Sequence, residues 1–404
     1  MNFNTFSFNP KINAGISKAG YFSATPIQAQ TIPAILGGND VLGLAQTGTG
    51  KTAAFVLPIL ERLLKGPRGK LRALIIAPTR ELAEQTHSAI TQLGRQTGLR
   101  SITVYGGVSA QPQIKGLRSG VDIVVACPGR LLDLKDQRAV NLDNIEILVL
   151  DEADHMFDMG FLPSIRRIIS ALPKKRQTLL FSATMPDAIR HLATEMLVNP
   201  LTVEIGITKP IDTISHAIYP VDSLGKTEVL LHLLRDSGEG QILVFTRTKH
   251  RAKKLALKLV QSGLSATSLQ GNLSQGQRQV AMNAFRNGRV KVLVATDIAA
   301  RGIDVSQVSH VINYDIPDTA DAYTHRTGRT GRMEHLGTAL SLVTQDDLPM
   351  VRTIERLMGQ TLERRKFNLV ETTHNRVSQA VQPRRETSQH RHNNNPSRSY
   401  AGNH

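Results

Sequence analysis

The chain reads as an α/β protein built from two successive units, each a parallel sheet covered by helices. Three observations lead there. Short apolar runs of strand length alternate with amphipathic stretches along most of the sequence. The alternation pauses once and then starts again. A length of 404 residues with 40% hydrophobic residues suits two or three packed domains and excludes a single small module.

In order, the strand candidates of the first unit are VLGL from Val41, ALIIAP from Ala73, SITVYG from Ser101, VDIVVA from Val121, IEILVL from Ile145 and QTLLFS from Gln177. After Ile205 the stretch GITKPID, with Gly206 and Pro210 and little apolar content, predicts a linker. The second unit follows with SHAIYPV, QILVFT, ATSLQG, VKVLVAT, VSHVINY and GTALSLV, separated by helix-like segments. The expected limits are 1–207 and 208–367. Beyond Phe367 the segment 368–404 is polar, rich in Arg, His and Asn, and too poor in apolar residues to offset its ordering entropy, so it is expected to be a disordered basic tail. Two like units also suggest a duplicated domain.

Composition narrows the function. Lys and Arg number 49 against 33 Asp and Glu, a net charge of +16 that is spread over both units and not confined to the tail. Such a balance excludes an acidic surface and makes a phosphate polyanion the first partner to expect. Aromatics are only 4% and there is no Trp, which favours backbone phosphate contacts over base-stacking platforms. The lone Cys127 excludes an internal disulfide and any multi-cysteine metal site. The N-terminus MNFNTFSFNP has no basic start and apolar core of a signal peptide, and no apolar run approaches the roughly 20 residues that cross a bilayer. The expectation is a cytoplasmic protein with no membrane contact.

Two strings carry the chemistry. VLGLAQTGTGKTAAFVLPIL sets a strand before Ala45, Gln46, Thr47, Gly48, Thr49, Gly50, Lys51 and Thr52, and a helix after them. This is the setting of a phosphate loop: Gly48 and Gly50 let the backbone approach phosphates, the helix start turns amides toward them, Lys51 adds a point charge, and Thr52 offers a hydroxyl to Mg²⁺. Ala45 stands where the usual pattern has Gly. Downstream, ILVLDEADHMF puts Asp151 and Glu152 at the end of a strand, where a metal and a nucleotide belong in a parallel sheet. Asp151 suits Mg²⁺, held through water, and Glu152 can orient and deprotonate an attacking water.

With these residues in view, the sequence resembles a DEAD-box ATP-dependent RNA helicase of superfamily 2, over about residues 1–367 and most closely the bacterial RhlE-like branch. Asp151, Glu152, Ala153 and Asp154 spell the box. The resemblance implies two RecA-like domains with ATP and RNA bound across the cleft between them, ATP and Mg²⁺ as cofactors, and RNA-stimulated ATP hydrolysis that opens short duplexes or remodels RNA–protein complexes. It also implies site residues. Gln28 in GYFSATPIQ would read adenine, with Phe3 as the stacking aromatic and Tyr21 alongside. Thr79, Arg80 and Glu81, then Gly106 and Gly107, then Pro128, Gly129 and Arg130 would meet the RNA backbone, with Cys127 in place of the usual Thr. Ser182, Ala183 and Thr184 would couple hydrolysis to RNA binding.

In the second unit the resemblance assigns Phe245, Arg247, Gln270, Gly271, Gln275, Arg278, Thr296 and Asp297 to RNA-facing and interdomain positions. Gly302 and Asp304 would meet the ribose. In HRTGRTGR, His325 and Arg326 would couple the domains, and Arg329 and Arg332 would act as arginine fingers on the transferring phosphoryl group. Expected partners are RNA, contacted independently of sequence, and ribonucleoprotein or RNA-decay proteins. An ATP-gated RNA clamp that unwinds little would carry the same residues, and a DNA-directed translocase the same two cores. The residues cannot separate the clamp from a helicase, whereas the box and the Gln28 context argue against the translocase.

Overall fold

The computed structural model describes residues 1–46, 48–205, 214–300, 308–331 and 337–366. The expected linker, the polar tail, and Thr47, Gly302, Asp304, Arg332 and Phe367 lie outside the described residues. Met1–Arg365 is one compact unit, and Lys366–His404 makes up the second, of which Lys366 is described.

The first unit carries two sheets, one per lobe. In the first lobe the strands are β1 (Val41–Leu44), β2 (Ala73–Ile76), β3 (Ser101–Val104), β4 (Ile123–Ala126), β5 (Ile147–Leu150), β6 (Gln177–Ser182) and β7 (Leu201–Glu204), in the order β3-β4-β2-β5-β6-β1-β7. In the second they are β8 (Ile214–Pro220), β9 (Gln241–Phe245), β10 (Ala266–Leu269), β11 (Val292–Ala295), β12 (Val308–Asn313), β13 (Gly337–Val343) and β14 (Glu363–Arg364), in the order β10-β11-β9-β12-β13-β8-β14. Every pairing is parallel. Position by position the two orders are the same, so the protein has two RecA-like α/β domains of one topology.

The apolar runs become strands because helices cover both faces, so a continuous run of Ile, Val and Leu is buried on each side. Side chains alternate across the sheet: Val41, Ile75, Val125, Val149 and Phe181 enter one core, and Leu42, Ile76, Val124, Leu148 and Leu180 enter the other. Each predicted apolar run contains a strand, trimmed at some starts. VDIVVA gives a strand from Ile123, and just before it the buried Asp122 side chain accepts the Gly69 and Arg100 amides at 2.8 Å each. Two of the four edge strands, β7 and β14, were not expected. Only Val203 of β7 is buried, and both residues of β14 are exposed, so neither leaves an apolar run to read. Asp40 ties β7 in place: it accepts the Thr178 amide at 2.7 Å and the Val198 amide at 2.8 Å.

Candidate active site and nucleic-acid interface

The loop after β1 runs into the helix Lys51–Leu64 through Gly50, whose φ of +94° lies in the left-handed region. A Cβ there would also come within 2.5 Å of Gln28 Nε2, so Gly50 is needed twice over. Gln28 is buried and ties this loop to the preceding helix, donating from Nε2 to the Gly50 carbonyl at 3.0 Å and accepting the Thr25 amide on Oε1 at 2.9 Å. The amide expected to read adenine therefore first positions the phosphate loop; each end still has a second hydrogen-bonding valence. Lys51 is buried, and its Nζ donates to the Ala45 carbonyl at 2.6 Å. Thr49 Oγ1 donates to the Gln46 carbonyl at 2.7 Å and closes the turn beside Gly48. Thr52 follows in the first helical turn.

Phe3 is only 3% exposed, packed edge-on against Phe6 and stacked at 6.1 Å on Tyr21. Tyr21, at 39% exposure, is the more accessible ring of the pair.

At the end of β5, Asp151 and Glu152 are both buried. Burial pushes the Asp151 carboxyl up to about 7; Lys51 opposes this, and Glu152 and Asp154 add to the rise. A buried carboxyl crowded by acidic neighbours is relieved by a cation, which fits Mg²⁺. Among the described residues no group of three or more His, Cys, Asp or Glu is arranged to hold a metal alone. Asp151 and Thr52 would therefore hold the ion together with nucleotide phosphates and water.

Burial would raise Glu152 as well, but a hydrogen bond from His155 and the charges of Lys51, His155 and Arg329 take it down to about 2. It is a carboxylate at neutral pH. The contact is His155 Nδ1 to Glu152 Oε2, 3.1 Å. Sequence reasoning missed His155; its signal was a titratable side chain three residues past Glu152, one helical turn away.

The last residue of the box reaches β6. Asp154 Oδ2 accepts from the Ala183 amide (3.1 Å), the Thr184 amide (2.8 Å) and Thr184 Oγ1 (3.0 Å). In return the Asp154 amide donates to Ser182 Oγ at 3.2 Å, and that hydroxyl donates to the Thr184 carbonyl at 2.7 Å. Ser182, Ala183 and Thr184 are thus held to the box by hydrogen bonds.

The second lobe brings its basic loop to this site. Arg329 follows the helix Ala320–Thr327, is buried, and is near enough to Glu152 for its charge to help depress that carboxyl. His325 and Arg326 lie in the last turn of the same helix. Arg326 is fully engaged: Nε and Nη2 hold Asp297 at 2.6 and 2.7 Å, Nη1 donates to Asn313 and to the Asp315 carbonyl, and the guanidinium lies 4.9 Å from the Phe245 ring centre. The Asp297 carboxylate, expected among the RNA-facing and interdomain positions, anchors Arg326. A carboxylate there would repel a phosphate, and its place in the pair explains why an acid is tolerated. Glu81, also expected to contact RNA, bridges the lobes. Its Oε1 accepts from Arg278 Nη2 and Nε at 2.6 and 2.9 Å, with both side chains mostly buried.

The remaining candidates fall on one pattern. Those of the first lobe follow β2, β3 and β4, and those of the second follow β9, β10 and β11, the corresponding three strands of each sheet. In the first lobe they are cross-linked. Thr79 Oγ1 accepts the Leu82 amide and caps the helix Arg80–Leu93. Arg80 lies 5.8 Å from the Tyr105 ring centre and against Gly107, where φ is +74° and a Cβ would collide with the guanidinium at 1.8 Å. Gly106 is the other half of that turn. Pro128 and Gly129 open the helix Pro128–Asp136, and Arg130 Nη2 donates to the Val108 carbonyl at 3.0 Å. Burial pushes the Cys127 thiol up to about 12, with Glu81 adding to the rise, so it stays neutral.

In the second lobe Arg247 is half-exposed, with Nε 3.2 Å from Asp318. Gln270 is buried and accepts the Asn272 amide at 2.7 Å beside Gly271. Thr296 follows β11.

Two family models match: "DEAD/DEAH box helicase" over residues 25–192 and "Helicase conserved C-terminal domain" over 225–334. The chain is 43% identical over 364 residues to the DEAD-box ATP-dependent RNA helicase CshA of Streptococcus pneumoniae, covering 90% of this chain and 69% of that one. Among solved structures it is similar to S. cerevisiae Dbp5 bound to RNA and ADP BeF3, with 32% identity, a TM-score of 0.82, and coverage of 94% and 99%. A DEAD box protein from Methanococcus jannaschii has higher identity, 36%, over 91% of this chain and 99% of that one, yet a TM-score of 0.53.

Proposed function

Because the chain belongs to the DEAD/DEAH box helicase family, we propose that its two strand-end crevices work as one split site that couples ATP hydrolysis to local opening of short RNA duplexes or remodelling of RNA–protein complexes. The protein is an ATP-dependent RNA helicase whose ATPase is stimulated by RNA, with ATP and Mg²⁺ as cofactors and RNA as partner. The observation that carries the split-site reading is Arg329, a second-lobe residue whose charge acts on Glu152 of the first.

Lys51 and the amides at the start of its helix bind the phosphates, and leaving the Ala45 carbonyl frees Lys51 to do so. Asp151 and Thr52 would hold Mg²⁺, which would neutralise charge at the phosphates. Glu152 orients the attacking water and takes its proton, and Arg329, with Arg332, steadies the charge that develops on the phosphoryl oxygens. The Asp154 contacts to Ser182, Ala183 and Thr184, and the Glu81–Arg278 pair, supply the mechanical link between this site and the RNA-facing loops. Gln28, with Tyr21 and Phe3, reads the base, and Gly302 and Asp304 meet the ribose. Thr79, Arg80, Gly106, Gly107, Pro128, Gly129, Arg130, Arg247, Gln270, Gly271 and Thr296 line the backbone path.

The finer readings are a nucleotide-binding domain at 1–207, a second domain at 208–367, a tethering tail at 368–404, a place on the RhlE-like branch, a cytoplasmic location, and ribonucleoprotein or RNA-decay partners. The location is supported by the fact that no helix among the described residues is long and apolar enough to cross a membrane.

The test is the ATPase rate with RNA and with DNA of matched length, alongside displacement of a short RNA duplex. Strong stimulation by RNA alone, with displacement, is expected. Equal stimulation by DNA would overturn the substrate reading. RNA-dependent turnover without displacement would favour a clamp. Glu152→Gln should retain ATP and RNA binding while hydrolysis falls by roughly 10² to 10⁴.

A further inference from the structure

We propose that His155 is a positioning residue for the Glu152 carboxylate, fixing the oxygen that it holds so that the water-orienting geometry is set before ATP arrives. The proposal rests on the reading of Glu152 given above. Glu152 adopts φ +53° and ψ 55°, a left-handed conformation that costs a side-chain-bearing residue on the order of 1 kcal/mol and persists only where surroundings enforce it. It caps the short helix Ala153–Asp158, so the residue three positions on is the first that its side chain can meet on that helix face. That residue is His155. Its Nδ1 lies 3.1 Å from Glu152 Oε2, and the two side chains are 7% and 10% exposed.

The other ring nitrogen decides the direction of the bond. His155 Nε2 is buried and has no hydrogen-bond partner among the described residues. A proton on Nε2 would leave a buried donor unmet, a cost of about 1–3 kcal/mol, whereas a bare lone pair there is the lesser penalty. The ring therefore donates from Nδ1 to Oε2 and acts as a strut, itself held by the His155 amide bond to Asp154 Oδ1 at 3.0 Å. A carboxylate with one oxygen pinned cannot swing freely, and misplacement of a catalytic group by about 1 Å can cost up to about 10²-fold in rate. The same helical turn thus links the water-orienting group, through Asp154, to the segment Ser182–Thr184.

The bland alternative is a histidine that merely fills space between two helices. Three substitutions in the full-length protein separate the two. His155→Leu keeps the bulk but removes the donor, and kcat at saturating RNA and ATP should fall about 10- to 100-fold with KM for ATP unchanged. His155→Asn places an amide N–H near the position of Nδ1–H and should stay within about threefold of the parent. In a Glu152→Gln background, His155→Leu should cost nothing further, because its effect passes through that carboxylate. A readout independent of turnover is the ¹⁵N NMR signature of the ring in the nucleotide-free protein, which should show Nδ1 protonated and Nε2 bare. Parental kcat in His155→Leu, equal losses in the Leu and Asn variants, or a bare Nδ1 would overturn the proposal. Normal turnover in Glu152→Gln alone would remove the base assignment, and the proposal with it.

Discussion

The same crevice occurs twice in this protein, once in each lobe, and only one is built for phosphates. After β1 the chain enters the helix Lys51–Leu64 through Gly50, Lys51 and Thr52; after β8 it enters the helix Lys226–Asp236 through Gly225, Lys226 and Thr227. Both lysines are 6% exposed, and each donates to a main-chain carbonyl, Lys51 to Ala45 and Lys226 to Tyr314. The differences are local. Gly50 is left-handed, whereas Gly225 sits at φ −79° in ordinary helical space, so the second loop is not curled around a phosphate. Lys226 also has its countercharges built in, with Asp347 at 3.6 Å and Asp315 at 3.8 Å. Burial pushes its ammonium down, and those two carboxylates hold it up. Asp347 is itself fixed by the Thr344 amide and hydroxyl. A parallel sheet supplies a crevice at its carboxyl ends; whether that crevice binds an anion depends on whether the protein has already supplied one.

The sharpest way to break this comparison is to remove what the first crevice borrows from the second lobe. Arg329→Ala should depress RNA-stimulated hydrolysis by up to roughly 10³ to 10⁵, read in a steady-state ATPase assay, while ATP binding persists. A rate within tenfold of the parent would mean that the first lobe hydrolyses ATP alone. The two lysines should then separate cleanly. Lys51→Ala should abolish most turnover, by roughly 10² to 10³, and leave stability unchanged or raised, because it removes a buried charge poised for a ligand. Lys226→Met should do the reverse: it leaves Asp347 and Asp315 short of a partner and should cost about 1–3 kcal/mol in urea unfolding, with ATPase intact below the transition. Similar ATPase losses in both would show the second crevice to be functional.

A smaller effect sharpens the contrast between β1, which has no titratable residue, and β8, which carries His216. That ring is buried beside Tyr323, whose hydroxyl lies 3.0 Å from Nδ1, and burial pushes it down to about 4. The unfolded chain, with an ordinary histidine near 6.5, takes up the proton first as pH falls. Stability is therefore full above about 6.5 and declines toward 4, by at most about 1.4 kcal/mol per pH unit. His216→Phe should flatten that slope in urea titrations across this window. An unchanged slope would place the dependence elsewhere.

The smallest expected effect belongs to residues 368–404, whose five Arg would each meet a phosphate only transiently. Deleting the tail should reduce the salt dependence of RNA binding by at most about 3.5 units of slope, with saturated ATPase little changed. Identical slopes would make the tail inert.

What could be read from the amino-acid order alone was whatever is local. The runs ALII, IVVA and ILVL are apolar at every position because both faces of a parallel strand are covered, so strand, sheet type and helix alternation follow directly from them. The phosphate loop and Asp151–Glu152 were legible for the same reason, since the glycines, lysine and acids that the chemistry needs lie within a few residues of one another. The edge strands β7 and β14 were not, because they bury one side chain and none respectively, whereas the opposite edges β3 and β10 are at least half-covered throughout. Nor were the pairings over long separations: Glu81 with Arg278, Asp297 with Arg326, Asp40 with the Thr178 and Val198 amides, and the neutralisation of Lys226 by Asp347. A charged side chain reads the same whether it faces water, RNA or a partner far along the chain. Only the closed packing of both sheets determines which of these it meets, because only there does desolvation make an unpaired charge costly enough to require that partner.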